Sequence, residues 1–214
     1  MTFLLWKEEC KINHDIILYM KKYIAELFGT FVLTLAIGLS LSGNFPVSTP
    51  VVAGLVVMLF VYTIGHISGT HLNPAITIGA WSINKIKSKE ALFYVISQFV
   101  GSALALIIIT MTVGMPHLAF VSNFPTLVAE FLGTALFGFG VASIMYDRTP
   151  SDFSGVVAGG SLVLGIAVAA LLGSYGVLNP AVAFGIDSLS LVYFFAPVVG
   201  SIVGMQMYKF ISED

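Results

Sequence analysis

"GTHLNPAITIGA" occupies residues 69–80 of this 214-residue chain. Asn-Pro is a pair that opens or breaks helices, yet here it lies within a long hydrophobic run. A hundred residues later "GVLNPAVAFGI" (176–186) repeats the arrangement. The reading of these two stretches decides the fold.

Composition sets the solvent. The chain is 57% hydrophobic and 9% charged, with a mean hydropathy of +0.98, whereas a soluble domain carries about a quarter charged residues. No soluble fold of this size could hide so much apolar surface, so the surroundings must be lipid. The net charge of −2 and the lack of a basic stripe argue against nucleic acid. The single cysteine, Cys10, allows no internal disulfide, CxxC pair or cysteine metal cluster. The first apolar run follows a mixed-charge leader, 1–22, without a convincing cleavage site, so no cleaved signal is expected.

A spanning helix needs about 20 mostly apolar residues. Six stretches qualify: Tyr23–Leu41, Pro50–Gly65, Ala91–Met111, Leu127–Met145, Gly155–Leu172 and Leu189–Ile211. Pro74–Trp81 and Pro180–Ile186 are too short, because eight helical residues rise only about 12 Å in a hydrocarbon core of about 30 Å. Lys7, Lys11, Lys21 and Lys22 precede the first span, and Lys85, Lys87 and Lys89 follow the second. Arg148 follows the fourth span and Lys209 closes the sixth, while the alternate loops (42–49, 112–126, 173–188) hold no Lys or Arg. Both termini are therefore expected on the cytoplasmic side.

The chain also repeats itself. "AELFGT" (25–30) returns as "AEFLGT" (129–134), and "LNPA" at 72–75 returns at 178–181. Three spans separate the copies, and an odd number turns the second copy over. Residues 23–122 and 123–214 thus read as two inverted three-span repeats, an arrangement that many transport proteins build around a midplane site. Six extended residues, "ISGTHL", reach at most about 20 Å, enough to dip to the bilayer centre. Asn73 would then cap a short returning helix, with Pro74 where a missing N–H costs nothing. Gly173–Leu178, Asn179 and Pro180 would do the same from the other side. Irregular backbone at that depth must be buried in protein or line a watery path. The plain alternative is two Pro-kinked helices in a packed bundle, which leaves the repetition of Leu-Asn-Pro-Ala unexplained.

In "AELFGTFVLT", "GHISGTHLNPAITIG", "AEFLGT" and "GVLNPAVAFG", taken in order, the chain resembles an aquaporin of the major intrinsic protein family from Tyr23 to Ile211. The resemblance implies an all-α membrane fold of six spans and two re-entrant half-helices, with one pore per subunit and a homotetramer. Asn73, Pro74, Ala75 and Asn179, Pro180, Ala181 would form the central constriction. Carbonyls of Gly69, Thr70 and His71, and of Tyr175, Gly176 and Val177, would line a single file. The four positions of the outer filter, counted from the asparagines, fall on Ala53, Ala167, Gly176 and Val182.

This filter departs from the family pattern. Most members place arginine directly after the second NPA, where this chain has Val182. Water-selective members add an aromatic and a histidine, and glycerol facilitators follow the arginine with aspartate, where this chain has Ala183. Small apolar residues should widen the ring and remove its donors, and pore width and lining donors govern selectivity. The expectation is a pore for water and small neutral solutes such as glycerol, urea, ammonia or metalloid acids. Arginine-free filters with valine there resemble a bacterial branch linked to arsenic handling, and the short loops suggest a prokaryotic inner membrane. Each half-helix N-terminus carries about +0.5 charge and at ~4 Å repels a cation by about 2 kcal/mol. The two together give roughly a thousandfold exclusion, though without arginine a small proton or anion leak is expected.

Glu26 and Glu130 lie inside spans and read either as proton relays or as acceptors that hold the dipping loops; their symmetric repetition favours the second. His66 and His71 flank the first loop and read as lining or as a pH sensor. Gly155/Gly159 and Gly200/Gly204 permit close helix approach. The leader reads as an interfacial helix or a frayed end. With Cys10 outside the pore, no block by mercurials is expected. No nucleophile–base pair or metal set appears in the spans, so no enzyme, metal or cofactor is expected. The alternatives to a passive channel are a proton-coupled secondary transporter and a closed-pore scaffold.

Overall fold

The structure is a computed structural model that describes residues 3–43, 46–114 and 121–213, with side chains from residue 20 onward. The chain order is α1 (Phe3–Leu41), α2 (Thr49–Ser68), α3 (Pro74–Ser82), α4 (Ser88–Thr112), α5 (Phe124–Met145), α6 (Ser154–Leu171), α7 (Pro180–Gly185) and α8 (Leu191–Ser212). Six of these helices are long and apolar enough to cross a membrane; α3 and α7 are not. The fold is thus all-α, an integral multi-pass membrane protein with two short helices set inside it.

The leader and the first span form one helix, of which the candidate span is Met20–Leu41. Cys10 lies outside the residues whose side chains are described. The expected span ends shift by a few residues where capping decides them. Helix α2 runs through Ser68, because Gly69 at φ 81° turns left-handed and donates its N–H to Gly65 O at 2.8 Å. Only Gly69–Leu72 then remain to reach Asn73. Gly69, Thr70 and Leu72 all have positive φ, so the chain coils through this stretch rather than extending.

The packing of one half is repeated in the other. Helix α1 packs on α2 and α4, α5 packs on α6 and α8, and α2 meets α6 between the halves. The small residues of the sequence lie where backbones touch. A Cβ on Gly159 would meet the backbone of Gly54, and one on Gly54 would meet Gly159. Gly200 and Gly204 sit against Phe131 and Ala135 of α5, and Gly155 sits under the Tyr62 ring. Most of the remaining apolar surface is exposed on the outside, as in Leu55, Leu59, Leu104 and Leu164, which lipid would solvate.

Candidate functional site

The two dipping loops are built alike. Each short helix opens on an asparagine in extended conformation whose side-chain oxygen accepts a backbone N–H: Asn73 from Ala75 at 2.8 Å, Asn179 from Ala181 at 3.0 Å. Each asparagine amide donates across the molecular centre. Asn73 Nδ2 bonds Leu178 O, and Asn179 Nδ2 bonds Leu72 O, both at 2.9 Å. The two half-helix N-termini are thereby tied together tip to tip. An amide has two hydrogens, so one remains on each asparagine beyond this cross-tie. Both asparagines border the same cavity, while Pro74, Ala75, Pro180 and Ala181 are buried behind them.

The carboxylates hold the loops. Glu26 is fully buried and accepts from Ser68 Oγ (2.8 Å), His71 N (2.9 Å), Leu72 N (2.7 Å) and Gln98 Nε2 (2.8 Å). Glu130, equally buried, accepts from Ser174 Oγ (2.5 Å), Val177 N (2.9 Å) and Leu178 N (2.8 Å). Leu72 and Leu178 both sit in the left-handed region, at φ 49° and 52°, where a non-glycine residue is uncommon. The sequence motif explains how they are tolerated. Three residues after each glutamate comes a glycine, Gly29 or Gly133, and a Cβ there would collide with the side chain of Leu72 or Leu178. The glutamate binds the leucine's N–H and the glycine makes room for its side chain.

Two cavities meet at His71, named outer and inner for the sides that the basic loops predict. The outer one, of about 70 Å³, is bordered by Leu33, Ala53, Phe137, Ile166 and Val182 with the Tyr175–Val177 segment. The inner one, of about 450 Å³, is bordered by His66, Ser68, Gly69, Lys85, Glu90 and Tyr94. His71 lines both. Its Nδ1 lies 3.1 Å from Thr77 Oγ1, and its ring stands edge-on to Tyr94 with centroids 5.2 Å apart. Thr77 Oγ1 donates to Asn73 O at 3.0 Å and accepts from Gln98 Nε2 at 2.9 Å. The histidine is therefore anchored to the same network that holds the loop. Thr70 borders neither cavity; its hydroxyl donates to Phe60 O at 3.1 Å.

Of the four expected filter positions, Ala53, Gly176 and Val182 border the outer cavity. Ala167 does not. It lies on the exposed face of α6, and its neighbour Ile166 faces the cavity instead. Counting back from Asn179 fails here by one residue, and one residue on a helix is a 100° rotation. The ring is correspondingly narrower than alanine at that place would make it. Ser68, Gln98, Tyr94 and Ser174 were missed as well. Ser68 and Ser174 each stand five residues before an NPA asparagine, so aligning the repeats would have marked them. Gln98 is a lone amide in an apolar span, itself a signal. Among the described residues no group of three His, Cys, Asp or Glu side chains converges.

The model of the family described as Major intrinsic protein matches residues 14–208. Aquaporin NIP1-1 of Zea mays is 32% identical over 213 residues, covering 90% of this chain and 75% of that protein. Aquaporin AqpM of Methanothermobacter marburgensis is 27% identical, with 91% of this chain and 98% of that protein covered. Among solved structures, the aquaglyceroporin from Plasmodium falciparum superposes with a TM-score of 0.68 at 23% identity. The superposition covers 91% of this chain and 97% of that one.

Proposed function

The chain belongs to the major intrinsic protein family, and from that premise we propose how this passive channel for water and small solutes selects what it passes. The filter is the ring of Ala53, Ile166, Gly176 and Val182. Val182 is 1% exposed and Ala53 1% exposed, so both present a fixed aliphatic wall. The polar side is the backbone of Tyr175–Val177, with the Gly176 and Val177 amides drawn off toward Ser174 and Glu130. Carbonyls on one wall and hydrocarbon on the others suit neutral solutes that donate hydrogen bonds: water, ammonia, urea, glycerol and hydroxylated metalloid acids such as arsenous acid. Anions find acceptors where they need donors.

The observation that carries this reading is Val182 directly after the second NPA, bordering the outer cavity with no charged side chain on that wall among the described residues. A proton-coupled carrier is disfavoured because Glu26 and Glu130 border neither cavity and their oxygens are occupied by loop donors. The cross-tie of Asn73 and Asn179 supports their role as the central constriction. The family's membership of channels supports a non-enzymatic role. We further propose the homotetramer, the cytoplasmic placement of both termini, the division into repeats at 23–122 and 123–214, and a prokaryotic inner membrane. The basic loops support the placement of the termini, the paired packing of the two halves supports the division, and the family supports the tetramer.

Swelling of proteoliposomes in water, glycerol, urea and arsenite tests the filter. Solute entry above protein-free vesicles is expected, and Val182→Arg should reduce solute entry more than water flow. Solute entry equal to protein-free vesicles, or an arginine variant identical to wild type, would remove the proposal.

A further inference from the structure

Two grooves adjoin on the surface between α3 and α4, the second sharing Lys85 and Glu90 with the inner cavity. The first, about 300 Å³, is walled by Ile78 and Trp81 of α3 and by Leu92 and Val95 of α4. The second, about 540 Å³, surrounds the connecting loop and is bordered by Asn84, Lys85, Lys87 and Glu90. Trp81 and Ser88 border both, and the Trp81 indole N–H donates to Ser88 Oγ at 2.9 Å. The tryptophan therefore stands at the seam, 48% exposed. Ser88 also begins the membrane span of α4. The apolar groove thus runs into the hydrocarbon, and the polar one opens at the membrane surface, where indoles settle.

The charges at this mouth are unequal. Glu90 is held by an ion pair with Lys22, and among the described residues no other carboxylate borders the groove beside Lys85 and Lys87. Lys85 Nζ sits 4.0 Å over the Tyr146 ring, and Lys85 borders both this groove and the inner cavity. Helix α4 begins with Lys87 at the N-cap, which supplies no side-chain acceptor, and the one acidic residue of its first turn, Glu90, is engaged by Lys22, so the first-turn N–H groups favour a further anion nearby.

We propose that the paired groove binds an anionic phospholipid. Its acyl chain lies along Ile78, Trp81, Leu92 and Val95, and its phosphate faces Lys85, Lys87 and the start of α4. A zwitterionic lipid would bring a cation up to Lys85 and Lys87, which border the groove, and it binds more weakly. Lipid binding here does not depend on which solute the filter selects, because neither groove includes a filter residue.

Trp81 and Trp6 are the two tryptophans of the chain, so Trp6→Phe leaves Trp81 as the reporter. The full-length variant is placed in phosphatidylcholine vesicles doped with brominated phosphatidylglycerol or brominated phosphatidylcholine. Quenching of Trp81 by the anionic lipid is expected at a lower lipid fraction, by roughly fivefold for each lysine engaged. Lys87→Gln, on the exposed loop, should remove about one such step, and Lys85→Gln/Lys87→Gln should bring the two curves together. Arg148→Gln/Lys209→Gln, which border neither groove, should leave the preference in place. Circular dichroism melts of each variant establish that it is folded; were the double variant to unfold, the Lys87→Gln step alone decides. Coincident curves for the two lipids, an unchanged preference in folded Lys87→Gln, or equal losses from the control pair would overturn the site. Displacement by inorganic phosphate alone would mark a free-anion site and overturn the lipid assignment.

Discussion

The two dipping loops have nearly the same backbone and different chemistry. Both place a leucine at positive φ, cap a short helix with asparagine and hang their amides on a buried glutamate. One position earlier they diverge: His71 in the first loop, Val177 in the second. The first loop ends in a cavity edged by His66, Lys85 and Glu90, the second in one edged by aliphatic side chains. Four residues recurring in each half, glutamate, glycine, serine and asparagine, therefore hold the loop. The residues between them are left to choose the lining.

The sharpest way to break this comparison is to remove a carboxylate. Glu26→Ala orphans four donors and Glu130→Ala three, each worth about 1–3 kcal/mol when buried unsatisfied. Both variants should lose most folded protein, Glu26→Ala the more, as read by the monodisperse fraction in detergent and by thermal melts. Wild-type yields would show that the glutamates do not hold the loops.

Next comes an exchange between equivalent positions. Thr70 already bears a side chain at φ 52°, whereas Gly176 at φ 67° has Ile166 O 2.8 Å from where a Cβ would lie. Gly176→Thr should cost about 1–3 kcal/mol in strain alone, with further loss from the overlap. Thr70→Gly should cost far less. Melting temperatures of the pair check the asymmetry, and equal shifts would contradict it.

Width follows. Ile166→Ala should raise glycerol and urea entry by roughly tenfold or more, on the scale of methylenes in an apolar pocket, while Ala167→Ile changes neither. Reversal of the two effects would return the filter position to Ala167. The smallest effect is expected from His71→Val, which makes the inner loop resemble the outer. It forfeits the Thr77 contact, a loss of about 1 kcal/mol in the thermal melt, and stopped-flow shrinkage should still show water conduction.

Most of this architecture was legible in the chain. Six runs long enough to span, two too short, and an odd number of spans between "AELFGT" and "AEFLGT" are enough to place two inverted halves. Pro74 and Pro180 mark where the short helices begin, because a helix start is one of the few places proline is welcome. The face of α6 was not legible. Ile166 and Ala167 are both apolar, and lipid and an aliphatic cavity demand the same polarity, so only packing separates them. The length of the extended dip was misjudged for a different reason. Ile67 and Ser68 are neutral to helix formation, and the choice fell to Gly69, whose left-handed cap set the end of α2.

The central claim is that Asn73 and Asn179 flank an open path through the bilayer between the two tied helix tips. Stopped-flow light scattering of proteoliposomes under an osmotic step, repeated with and without a proton gradient, tests it most directly. The predicted result is shrinkage faster than in protein-free vesicles, linear in the osmotic step and indifferent to the gradient. Shrinkage no faster than in protein-free vesicles would mean a closed centre, and solute flux that saturates and follows the proton gradient would mean a carrier.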